Sequence, residues 1–181
     1  MKYKIIITCL LFVILNTQCE KDTPDPNNIP GLPPATQIGA NTFGCLVNGV
    51  PWVPSGSNGT ANLSIDYDPG INNGIFSISA LNVISSIQTT SIGLGIRDSL
   101  NFVVPPRKYF LKHNSLFGVY YHDFNKCMMG YFDTSIYRNG WLIISTFNRT
   151  SRIIAGTFEA TLIKKDCDTI RITNGRFDFK F

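Results

Sequence analysis

The chain holds two histidines, His113 and His122, so acid–base chemistry near neutral pH has few candidate residues. His122 and Asp123, with Cys127 a little further on, supply the types of nucleophilic catalysis: a base, an orienting carboxylate and a thiol. No local signature surrounds them, and a thiol in an oxidising compartment is more often half of a disulfide. Asp66 and Asp68, in Ile65-Asp-Tyr-Asp-Pro-Gly70, set two carboxylates near one another at a loop, as calcium sites often do. The EF-hand spacing is absent, and a solvated turn is the stronger reading. No phosphate-binding glycine loop, zinc spacing or HExxH-like element occurs. The expectation is therefore no catalytic residue, no metal ligand and no cofactor.

Aromatic residues carry the only binding argument. Trp52, Trp141, Tyr109, Tyr120, Tyr121, Tyr131 and Tyr137 exceed what a small core must hold. Tyr120 and Tyr121 are adjacent, so in a strand they point to opposite faces. Exposed rings with an apolar face and a polar tip suit sugar rings and partner surfaces. Tyr120, Tyr121 and Trp141 are the candidate ligand-contacting residues, although most such rings in a small domain are structural.

The elements that would position these residues read as strands. Apolar and polar residues alternate over 61–67, 74–82 and 91–97, with further strands expected at 107–111, 117–122, 128–133 and 141–147. Phe43, Cys45 and Val47 alternate, Asn48-Gly49 turns the chain, and Val50 to Val53 returns with Cys45 facing Trp52. Pro51 lacks a donor and places that return at a sheet edge. Near the C-terminus, Asn174-Gly175 fits a type I′ hairpin turn that would face Ile172 with Phe177 and Ile170 with Phe179. Gly93 and Gly95 suggest a face where something bulky approaches the backbone, most simply a phenylalanine of an opposite sheet. No amphipathic helix longer than a turn or two is visible. The expected fold is all-β, an antiparallel β-sandwich or flattened β-barrel of about ten strands.

Lys2 and Lys4 precede an uncharged run from Ile5 to Leu15, the n- and h-regions of an export signal. Eleven helical residues span only about 16 Å against a hydrocarbon core of roughly 30 Å, which argues against a spanning anchor. Residues 20–40 are rich in proline and asparagine and show no apolar period, so a tether is expected there. Removing Lys2 and Lys4 leaves fourteen basic against twelve acidic side chains, no electrostatic footprint for nucleic acid. Of the five cysteines, Cys9 leaves with the signal, and Cys45 alternates with apolar neighbours as a small buried residue. Cys127 and Cys167 lie in polar, turn-like surroundings and are the expected disulfide.

Cys19, at the end of the apolar run, looks like the lipid-attachment cysteine of a bacterial lipoprotein. Glu20-Lys21-Asp22 resembles the start of surface-exported lipoproteins of certain Gram-negative bacteria. The string Phe43-Gly44-Cys45-x-Val47-Asn48-Gly49-x-x-Trp52, with Gly156-Thr157-Phe158 and Ile172 to Asp178, resembles a family of uncharacterised Gram-negative lipoproteins. Asp98-Ser99-Leu100 and Asp168-Thr169-Ile170 resemble a short O-glycosylation acceptor motif of exported proteins. The resemblance implies a signal peptide over 1–18, a tether over 19–40 and one β domain over 41–181, held at the outer membrane through a lipid on Cys19. It brings no assigned activity. The expected role is a non-catalytic binding or structural module with a glycan or protein partner. The alternatives are a glycan- or peptide-binding surface protein and a lipocalin-like barrel holding a small apolar ligand.

Overall fold

The computed structural model describes residues 28–85 and 87–181. The signal segment and Cys19 lie outside the described residues. Alternation of apolar side chains builds eleven strands: β1 (Thr42–Val47), β2 (Val50–Trp52), β3 (Leu63–Asp68), β4 (Ile75–Ser85), β5 (Gln88–Ile96), β6 (Arg107–Leu111), β7 (Phe117–Asp123), β8 (Cys127–Met129), β9 (Tyr137–Asn148), β10 (Ile153–Ile163) and β11 (Ile170–Lys180). They form one mixed sheet in the order β2-β1-β11-β10-β9-β6-β7-β5-β4-β3, with β8 added beside β7. The β6–β7 join is parallel and rests on a single residue pair, Leu111 with Phe117. Among the described residues no helix is long and apolar enough to cross a membrane.

The sheet is not closed into a barrel, but it folds over on itself. Phe76 of β4 meets Phe177 of β11 with ring centroids 5.9 Å apart, and Phe43 meets Phe158 at 5.4 Å. Tyr67 on the far edge strand β3 packs on Phe147 and Phe181. Trp52 donates its indole N–H to Thr90 Oγ1 at 2.9 Å, and Ser55, just past β2, donates to Leu81 O and accepts from the Val83 N–H. Phe43, Phe76, Phe158 and Phe177 are at most 2% exposed, so rings fill the middle where a lipocalin-like hollow would have to be. Each such ring contributes on the order of 1.5–3 kcal/mol by burial.

The β1–β2 hairpin has the expected register, Cys45 opposite Trp52, and β2 is an edge strand. The C-terminal reading requires correction. Asn174-Gly175 is no hairpin turn; β11 runs unbroken through it and pairs with β1 on one side and β10 on the other. Asn174 adopts φ 52°, the left-handed conformation that a I′ turn would also use, and inserts an extra residue into the ladder. The register to β10 shifts there, from Phe158–Gly175 to Ala160–Ile172. The bulge reverses the alternation, which is why Ile170 and Ile172 before it and Phe177 and Phe179 after it all reach the core.

The expected tether is not free of the body over its described residues 28–40. Over its described second half the chain lies along β1 and β11 as a strap. Pro33 sits against Gly44, and Gly31 against Pro51. Asp178, 1% exposed, accepts hydrogen bonds from Thr36 Oγ1 at 2.7 Å and from the N–H groups of Ile38 and Gly39 at 2.9 and 2.7 Å. Arg176 donates to Pro33 O.

Cys127 and Cys167 are joined by a disulfide, and Cys45 is a free, fully buried thiol. Burial pushes the Cys45 thiol up to about 12, so almost none of it is thiolate at neutral pH. Iodoacetamide at pH 8 is expected to leave Cys45 unmodified in the native chain and to label it fully in denaturant. Labelling of the native protein at comparable rates would contradict the burial.

Candidate functional site

Two cross-strand rows on the outer face of β4, β5 and β7 build the candidate site. Ser79, Gly93 and Tyr120 form one row, and Ser77, Gly95 and Gly118 form the next, about 7 Å along the strands. In the first row the Tyr120 ring lies on Gly93, closer than any added Cβ would allow, and its hydroxyl shares a 2.9 Å hydrogen bond with Ser79. The bulky group over Gly93 is thus a tyrosine of the neighbouring strand on the outer face. It is not a phenylalanine of an opposite sheet, which corrects the sequence reading. Gly93→Val is expected to expel the Tyr120 ring and cost about 1–3 kcal/mol of unfolding free energy in a denaturant titration. An unchanged midpoint would count against the contact.

In the second row Tyr131 stands over Gly118, while only backbone lies within 3 Å of the position a Cβ would take on Gly95. The result is a floor of small residues below a cavity of about 390 Å³, lined also by Ile96, Arg97, Phe132 and Arg138. Tyr131 meets Tyr120 edge-on at 5.0 Å, and Tyr120 lies against His122 at 4.7 Å, so an aromatic row continues from the cavity along β7. Phe132 is 80% exposed at the rim.

The loop before β9 is held in place around this cavity. Arg138 donates to the carbonyls of Gly130, Tyr131 and Asp133. Asp133 accepts from Ser135 and pairs with Lys164 at 2.9 Å, and those two partners hold its carboxyl down at about 2. Burial lowers the pKa of Arg138, with Asp133 opposing and the nearby charge of Arg97 adding to the shift. Two lining residues carry a buried polar atom with no hydrogen-bond partner, Tyr131 Oη and Arg138 Nε, and these are the only such side-chain atoms found among the described residues.

The sequence candidates fall in different places. Tyr120 faces outward beside the cavity, whereas Tyr121 turns inward, is 7% exposed, and lines a second, more polar hollow beside the disulfide. Trp141 stands apart on the outer face of β9, paired with exposed Phe110 of β6, and the Lys108 ammonium lies 5.1 Å and 5.3 Å from the two ring centres. His122 and Asp123 point to opposite faces of β7; Asp123 accepts from the Asn125 N–H, and Cys127 is spent in the disulfide, so the three form no catalytic group. Asp68 accepts from the Gly70 N–H as a solvated turn, and among the described residues no cluster of three metal-ligating side chains occurs. Sequence reasoning missed Arg97, Arg138 and Phe132. Gly118, on the same face as Gly93 and Gly95, was the available signal.

No family model, no curated protein and no solved structure matches this chain.

Proposed function

We propose that the chain is a lipid-anchored lipoprotein of the cell envelope whose β domain is a non-catalytic binding module, with its ligand in the cavity over Ser77, Gly95 and Gly118. The anchor rests on Lys2, Lys4, the run Ile5–Leu15 and Cys19, and with Glu20-Lys21-Asp22 after the cysteine the compartment these residues fit is the outer membrane, with the domain facing outward from the cell. The Cys127–Cys167 disulfide accords with an oxidising compartment. The observation that carries the binding reading is the preformed cavity with two unsatisfied polar atoms among its lining residues, since native folds rarely leave such atoms unpaired. Ser77 is exposed, so Ser77→Trp is expected to fill the cavity while leaving the melting temperature within a few degrees. Cys19→Ala is expected to abolish fatty-acid labelling and release the protein from the membrane fraction; continued labelling would remove the anchor.

A second reading draws on a different observation. Trp141 and Phe110 side by side with a lysine suit the apolar face and hydroxyls of a sugar ring, the glycan-binding alternative. Glycan-array signal lost in Trp141→Ala and kept in Ser77→Trp would favour it over the cavity.

A further inference from the structure

The cavity has a chemical bias that narrows what it holds. Four basic side chains line it, Arg97, Lys112, His113 and Arg138, and no aspartate or glutamate does. Asp66 and Asp68 stand on the same sheet face on β3, but neither lines the cavity. Among the described residues Arg97 makes one side-chain hydrogen bond, to the carbonyl of Ser115, and Arg138 is bonded to carbonyls, so neither guanidinium is bonded to a described carboxylate. The two lie near enough for their like charges to interact unfavourably. Of the two unpaired buried atoms, Arg138 Nε can only donate and Tyr131 Oη can donate. Unpaired donors beside four basic side chains, with Asp133 near Arg138 but itself paired with Lys164 and outside the lining, describe the complement of an anion. The remainder of the wall is apolar, and the floor has no side chain at Gly95 or Gly118.

Resting on the binding reading above, we propose that this cavity takes a small monocarboxylate with a flat apolar body. The carboxylate is met by Arg97, Arg138 and Tyr131, and the body lies on the glycine floor beside Phe132. At about 30 Å³ per water-sized group, 390 Å³ accommodates roughly a dozen non-hydrogen atoms. That is a phenyl ring with a short acid chain.

The test uses the full chain carrying Cys19→Ala, titrated calorimetrically with 4-phenylbutyrate and with its uncharged counterpart 4-phenylbutan-1-ol. The acid is expected to bind at least tenfold more tightly than the alcohol. Arg97→Gln should weaken the acid roughly tenfold and leave the alcohol unchanged, while Ser77→Trp should remove both. Arg138 is left intact because it holds the loop. Equal binding of acid and alcohol overturns the carboxylate assignment and leaves a binding cavity standing. No binding of either probe, or binding that survives Ser77→Trp, overturns both.

Discussion

Asp178→Ala is expected to lower the free energy of unfolding by about 3 kcal/mol and to free the strap over residues 31–40. The carboxylate is buried and accepts charged hydrogen bonds from Thr36, Ile38 and Gly39. Such bonds contribute roughly 1.5–3 kcal/mol apiece and are not additive. Burial alone would raise its pKa; the bonds from Thr36, Ile38, Gly39 and Ala40 together outweigh burial and hold it below the usual carboxylate range. A depressed pKa in the folded state means that the contribution is complete above the unfolded value of about 4 and is lost as the pH falls through the lower folded value. Denaturant titrations from pH 7 downward should therefore show a larger loss of stability below about pH 4 in the wild type than in Asp178→Asn, in which only other depressed carboxylates such as Asp133 still titrate. Proteolysis of the strap should accelerate in Asp178→Ala. A variant with an unchanged midpoint and an unchanged digestion pattern would show that the latch contributes little.

Removing the disulfide is the other large change. The bond joins residues 40 apart and ties β8, which otherwise pairs only with β7, to the loop before β11. Closing a loop of that size limits the unfolded chain by about 4 kcal/mol in the chain-entropy treatment. Cys127→Ser with Cys167→Ser, or reduction of the wild type, is expected to lower the melting temperature by roughly 10 °C or more. Intact mass should rise by about two daltons on reduction, for the two hydrogens added when the bond opens. A melting temperature within about 2 °C of the oxidised protein would contradict the expectation.

Much of the architecture was legible because strand periodicity is a local signal. The β6 bounds 107–111 and the Cys45–Trp52 register follow from alternation and one Asn-Gly turn. The same dipeptide misled at Asn174-Gly175, since a left-handed asparagine serves a turn and a bulge equally well and only the long-range pairing with β1 and β10 selects between them. The strap was hidden for a related reason. Its composition is that of a solvated linker, and its binding site is a carboxylate some 140 residues away. The candidate cavity was partly readable in Gly93 and Gly95. Which face they occupied, and that Arg97 and Arg138 border the same space, depended on pairing and on a loop that carries no periodicity.

The latch at Asp178 bears on how far a membrane-anchored form could stand off from its bilayer. Residues 31–39 are held to the body, so their length is withdrawn from any leash that precedes them. Releasing the whole strap, the Asp178 latch together with the contacts of Gly31 and Pro33, would add the length of nine residues, about 30 Å. The hydrogen bonds that hold the strap against β11 would then also set the working height of the domain above the lipid.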